Sequence, residues 1–243
     1  MARKPTRKSQ RSRPARGTAS PAAAATTGAS DRDKIVAAFL ALLADKRIEQ
    51  IGLAEIAEAA GVTLVQLRDE FPSALAILAA YQKSVDRAVL AADVSDMAEE
   101  PPRERLFDAL MRRLEAMAPQ REAVRSLLRS ARRSPPLALA LNALAVRSQQ
   151  WMLTAAGIPA AGPRGMIRAQ ALAVMFASVL RTWVDDEDDD LARTMAALDR
   201  ALGRGQRIAG LVEDLCFIPS RLCRLRPRRR RGYEEDDTEE ATA

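Results

Sequence analysis

Apolar residues recur along this chain at three- and four-residue steps, not at steps of two. From Ser30 onward, Ile35, Ala38, Phe39, Leu42 and Leu43 fall on one face of a helix that "ADKRIEQI" ends. Ser30 with Asp33 resembles a capping box at its start. A second helix over about 53–60 places Leu53, Ile56, Ala57 and Ala60 inward. Gly61 suits the turn after it, because glycine tolerates positive φ. Thr63 with Gln66 forms a capping box for a third helix, with Val62 as its outer apolar residue and Pro72 as its stop. Ser73 caps a long fourth helix to about Ala92. Beyond "EEPP", prolines punctuate helical segments over about 103–118, 121–133, 136–156, 164–184 and 189–215. No segment alternates as a strand would, so the pattern predicts an all-α fold.

The last two segments differ from the others. "RAQALAVMFASVLRTW" is apolar over much of its circumference, as a helix buried on more than one side is. Leu191, Met195, Leu198, Leu202, Gly205, Ala209 and Val212 then step by four and three, a seam suited to helix–helix packing. Two such neighbours predict a homodimer interface of four helices. A core pair within a monomer is the alternative.

Charge divides the chain into parts. Its net value is +6, but residues 1–16 hold seven Lys or Arg and no acid, and residues 221–243 hold seven Arg and six acids. The middle, 31–220, has 24 basic and 26 acidic residues. The organisation expected is a disordered basic arm over 1–29, a helical domain over 30–92, a second helical domain over 93–216, and a disordered tail over 217–243, Arg-rich and then acidic. A flexible basic segment attracts nucleic acid or anionic lipid without specifying either. "FIPSRLCRLRPRRRR" in the tail suits a peripheral membrane or lipid contact, or a disordered stretch neutralised by the "EEDDTEE" after it.

Composition narrows the chemistry. There is no His, which removes the commonest general base and metal ligand. With no Gly-rich phosphate loop and no nucleophile elbow either, the expectation is no enzyme, no catalytic residue, no metal and no cofactor. Cys216 and Cys223 are too few for structural zinc; they read as free thiols in a reducing compartment, or as one disulfide. The N-terminus lacks the apolar stretch of a secretory signal, and a cytoplasmic location is expected. Trp151, Met175 and Phe176 are the candidates to line a pocket for a small apolar ligand.

"IGLAEIAEAAGVTLVQLRDEFPS", residues 51–73, has the outline of a helix-turn-helix. Its candidate DNA-binding residues are Thr63, Leu64, Val65, Gln66 and Arg68, with Arg68 able to pair with guanine and Gln66 with adenine. "DKIVAAFLALLADKRIEQIGLAEIAEAAGVTLVQLRDEFPS" resembles the DNA-binding domain of the TetR/AcrR regulators over about 31–90. The resemblance implies a TetR-like fold, DNA as partner, and an all-α C-terminal region that dimerises and binds a small ligand. On the reading face the chain departs from that pattern. Family members carry a Tyr and then Arg or His where this chain has Arg68, Asp69 and Glu70, and a Lys where it has Ala74. The second position of the third helix, often basic or polar, is Leu64. The basic arm is expected to restore part of the affinity, as minor-groove arms do in other helix-turn-helix proteins.

"TWVDDEDDDLARTMAALDRAL", residues 182–202, is similar to the C-terminal part of the ubiquinone-biosynthesis lipid-binding proteins, which share the TetR-like fold. Trp183, Asp185, Asp186, Asp190, Thr194, Leu198, Asp199 and Arg200 carry that likeness. It implies the alternative function, a lipid-binding accessory protein without specific DNA binding. Asp185–Asp190 alone reads as a solvated loop opening the last helix, whose dipole favours acids. By extent of resemblance, a ligand-responsive DNA-binding transcriptional regulator comes first.

Overall fold

Serine and threonine hydroxyls start the helices where the pattern places them. In the computed structural model, which describes residues 30–92, 97, 99–188 and 190–216 with side chains through Gly205, Ser30 Oγ accepts from the Asp33 N–H and opens α1 (Asp31–Asp45). The basic arm, the Arg-rich tail, the pairing of Cys216 with Cys223 and the side chains of Ala209 and Val212 lie outside the described residues. After α2 (Leu53–Ala60), Gly61 takes φ 66°. A Cβ there would meet nothing within 4 Å, so only the backbone angle asks for glycine. Thr63 and Gln66 form both halves of a capping box on α3 (Leu64–Glu70), and Ser73 caps α4 (Ala74–Ala91). Then follow α5 (Pro102–Met117), α6 (Arg121–Arg133), α7 (Pro135–Ala155, capped by Ser134), α8 (Gly162–Val184) and α9 (Ala192–Cys216).

Two buried clusters organise these helices. Ile35, Phe39, Leu43, Ile56, Leu67, Phe71 and Ile77 form the first, and Ala123 of α6 joins it. Leu53, expected inward, is 44% exposed; Ile56 and Ala57 fill the inner face of α2. Val85, Leu110, Leu114, Met152, Phe176, Trp183 and Leu198 belong to the second cluster. Helix α6 lies between them. Its Ala123 and Leu127 pack into the first cluster, and its Val124 and Leu128 into the second. Ser126 Oγ also donates to the Lys46 carbonyl at 2.8 Å, tying α6 to the end of α1.

The seam on the last helix faces inward. Leu198, Ala201 and Leu202 are buried against the chain's own α8 and α5, while Leu191 precedes the helix and Met195 is exposed. The large apolar side chains left uncovered on the C-terminal part stand mostly on the outer faces of α7 and α8: Leu139, Trp151, Met166, Ile167 and Val174. Asn142 and Gln170 join those two helices by a pair of amide hydrogen bonds at 2.9 and 3.0 Å. Among the described residues α8 is the one helix long and apolar enough to cross a bilayer, and here it packs between α7 and α9.

The acidic loop before α9 is not fully solvated. Asp186 is buried, and its Oδ2 accepts from the Thr194 N–H at 2.8 Å and the Thr194 hydroxyl at 2.6 Å. It thus caps α9 from six residues ahead of the helix, and α9 begins at Ala192 rather than near 189. Arg121 and Arg125 of α6 reach the other side of this corner. Arg121 Nη1 donates to the Asp186 carbonyl at 2.7 Å, Arg125 donates to the Val184 carbonyl, and the Arg121 guanidinium lies 4.9 Å from the centre of the Trp183 ring. Cations therefore meet the negative end of the α8 dipole.

Burial raises the Asp186 pKa, but the Thr194 hydroxyl and N–H, a backbone hydrogen bond at Asp188 and the nearby Arg193 charge outweigh it. The carboxyl ends below its ordinary value of 3.8. Its stabilising contribution is then complete above that value and disappears as pH falls through the depressed one. Asp186→Ala should cost about 2–3 kcal/mol at neutral pH, the worth of hydrogen bonds to a buried charged acceptor. Urea unfolding at pH 7 and again below pH ~3 checks this: the gap between variant and parent should narrow in acid.

Candidate nucleic-acid interface and ligand cavity

Helix α3 is held by one face. Leu67 is buried, and Phe71 just beyond it is sealed into the first cluster with 2% exposure. The other face carries Thr63, Leu64, Val65, Gln66, Arg68, Asp69 and Glu70, all exposed. Leu64 and Val65 are 55% and 69% exposed, which no packing need within the chain explains. The N-terminal residues of such a helix are the ones that meet base edges, and apolar side chains there suit thymine methyl groups.

The polar residues of this face are not equally free. Gln66 Oε1 accepts from the Thr63 N–H at 2.8 Å and the Thr63 hydroxyl at 2.9 Å, and its Nε2 donates to Asp31 at 3.1 Å. The amide expected to pair with adenine is engaged within the chain. Among the described residues Arg68 donates only to the Pro72 carbonyl, at 3.2 Å. Glu70, one of the two unwelcome carboxylates, is paired with Arg32 at 3.2 Å, and that guanidinium also lies 4.4 Å from the Phe71 ring centre.

Most cations of the reading head are committed in the same way. Arg32 serves Glu70, Lys34 serves Asp31 at 2.9 Å, and Lys46 serves Glu55. The Lys46 hydrogen bond holds Glu55 below the ordinary carboxylate range. Residues 30–73 hold eight acids and five bases. Phosphate contacts supply most of the affinity of such surfaces. Arg47 and Arg68 are the two of these five bases that hold no carboxylate among the described residues.

Behind the reading head, α4, α5, α6, α7 and α8 enclose a cavity of about 470 Å³. Leu78, Tyr81, Gln82 and Val85 of α4 and Val124, Leu127 and Leu128 of α6 form one side of it. Phe176 lines it. Met175 packs half-buried into the second cluster beside it, outside the lining. Trp151 is 57% exposed on the outer side of α7, against an open groove with Lys83 and Arg87, so it is no part of this cavity. An aromatic residue on a helix reports no direction from sequence alone.

Sequence reasoning missed the polar groups of this region. Arg113, 3% exposed, is paired with Asp86 of α4, and Ser148 Oγ of α7 donates to the same carboxylate at 2.6 Å. Arg113 Nε, Gln149 Oε1 and the Tyr81 hydroxyl are buried without a hydrogen-bond partner among the described residues. Burial pushes the Tyr81 phenol up to about 12, against the lowering effect of Arg113. A signal was present. Arg113 falls in the inner stripe of α5 with Leu106, Leu110, Leu114 and Met117, and a cation there needs a buried partner. Among the described residues no cluster of three or more His, Cys, Asp or Glu is placed to hold a metal.

No protein-family model and no curated protein sequence matches the chain. Solved structures do. The TetR transcriptional regulator from Nitrosomonas europaea superposes with a TM-score of 0.55 at 23% identity, covering 71% of this chain and 96% of that one. A TetR transcriptional regulator from Rhodococcus sp. RHA1 gives 0.51 at 19% identity, covering 71% and 94%. A TetR-family regulator from Streptomyces coelicolor gives 0.51 at 14%, covering 81% and 92%. The chain has the TetR-type all-α fold.

Proposed function

We propose that this chain is a homodimeric DNA-binding transcriptional regulator whose affinity for DNA is set by a small, largely apolar ligand in the cavity between α4 and α6. One observation carries the reading. Two of the five helices that wall the cavity, α4 and α6, also pack on α1 of the reading head. A ligand that changes their spacing favours one placement of α3 over another, a shift between DNA-competent and incompetent states. Leu64, Val65 and Arg68 are the readers, Thr63 adds a phosphate contact, and Gln66 positions the helix through its bonds to Thr63 and Asp31. The uncovered faces of α7 and α8 meet their copies across the two-fold axis. The lipid-carrier reading gains nothing from the structure: of the eight residues that carry that likeness, Trp183, Asp186, Thr194 and Leu198 are buried core and cap residues, and Asp185, Asp190, Asp199 and Arg200 are exposed.

Selection of random duplexes by the full chain at near-physiological salt tests this. A two-fold symmetric site should emerge, and Arg68→Ala should relax selection at one position in each half. A pool that never enriches sinks the proposal. Glu70→Gln should tighten binding by about 1 kcal/mol, or about fivefold. It frees Arg32 as well as removing a negative charge, so the salt dependence should steepen by about one counterion.

A further inference from the structure

The cavity is apolar over most of its wall, and its charged lining is of one sign. Arg113, Arg132 and Arg181 line it, and no Asp or Glu does. The three differ in setting. Arg113 is buried and already neutralised by Asp86. Arg132, near the end of α6, and Arg181, in the last turn of α8, are exposed, and neither is paired with a carboxylate among the described residues. The cavity therefore opens to solvent beside two uncompensated guanidinium groups, on a chain whose other arginines of α5 and α6 mostly hold a carboxylate or a carbonyl.

We infer that the ligand is an anionic amphiphile, an acyl chain bearing a carboxylate or phosphate head, with the head held at the mouth by Arg132 and Arg181 and the chain lying along Val124, Leu128, Phe176 and Met117. The head belongs at the mouth and not on Arg113. A second carboxylate beside Asp86 would share one buried cation, and a buried unpaired charge is strongly unfavourable. At the mouth the head keeps part of its hydration and meets planar donors that match carboxylate and phosphate oxygens. A carbonyl or hydroxyl further along the chain would find partners in the Tyr81 hydroxyl, Gln149 Oε1 and Arg113 Nε, which have none now. This ligand class rests on the regulator reading only for its consequence, since binding is read without DNA. Failure to select a duplex and failure to select a head group are separate results.

The test is calorimetric titration of the full chain with dodecanoate, dodecyl phosphate, dodecanol and dodecyltrimethylammonium, each below its micelle concentration. One molecule of either anion should bind per chain, at least about tenfold more tightly than dodecanol, and the cation should not bind. Arg132→Ala/Arg181→Ala, both at exposed positions, should lose that preference while leaving dodecanol binding unchanged, and the double Lys variant should recover part of it. If only one anion binds, the head is identified and the inference holds for it. Equal affinity for dodecanol and the anions, or no binding of any probe, overturns it. So does anion binding that survives Ala177→Phe, which fills the cavity, because the site would then be elsewhere on the surface.

Discussion

Asp86→Ala will destabilise the chain by about 3–5 kcal/mol, because it leaves the Arg113 guanidinium buried without its counter-charge. Asp86 is 8% and Arg113 3% exposed, and the carboxylate also accepts from Ser148, so three helices lose a shared partner at once. Against a total stability of about 5–15 kcal/mol for a typical domain, that is a large share. The same pair replaced together, Asp86→Leu with Arg113→Met, should recover most of the loss, since apolar side chains of similar volume repay the missing attraction with packing. Urea unfolding of the parent, each single variant and the double variant measures both effects. A loss in the double variant equal to the sum of the two single losses would show that the pair contributes nothing as a pair. Function should separate from stability in the double variant. The pair links α4 to α5 beside the cavity, and without it the response of DNA binding to ligand should weaken even where the fold is recovered.

Gly165→Ala will cost about 3 kcal/mol, at the upper end of overpacking effects, although the same change in an open helix position stabilises. Gly165 lies in the first turn of α8, and an added Cβ would sit 2.1 Å from the Ala160 carbonyl carbon and 2.2 Å from its oxygen. Those are backbone atoms, so no rotamer change relieves the contact. The loop that carries Ala160 runs between Gly157 and Gly162, which take φ 73° and 70°. Thermal unfolding should fall by about 6–12 °C for a chain of this size. Gly61→Ala is the control: its space is open, and only the left-handed backbone penalty of about 1 kcal/mol applies. Similar losses for the two variants would show that the approach to Ala160 is not the constraint.

What could be read from the sequence was local. Thr63 with Gln66, Ser73, Gly61 and Pro72 mark their turns through bonds to residues three or four positions away, and the helices begin and end close to where those marks fall. Pairings between distant residues leave no such mark. Arg32 finds Glu70 across 38 positions and Arg113 finds Asp86 across 27, so α3 looked more acidic than its surroundings make it. Direction around a helix was legible only when many apolar residues voted together. A single large residue misled: Leu53 and Trp151 turn outward, and Asp186 turns inward from a run of acids. Gln66 invites two expectations, a cap and a reader, and the capping bonds engage its amide oxygen.

Helix α6 gives its Ala123 and Leu127 to one core and its Val124 and Leu128 to the other. Neither half of this molecule is then a transferable module. A reading head cut off after residue 92 would expose the face of α1 that Ala123 and Leu127 now cover, and would leave the Lys46 carbonyl without its serine. Exchanging the first ninety residues for another domain of the same fold would require matching changes on α6. Any inherited change in the α1–α6 contact must be matched from both sides, so the two halves are bound to drift through sequence space together.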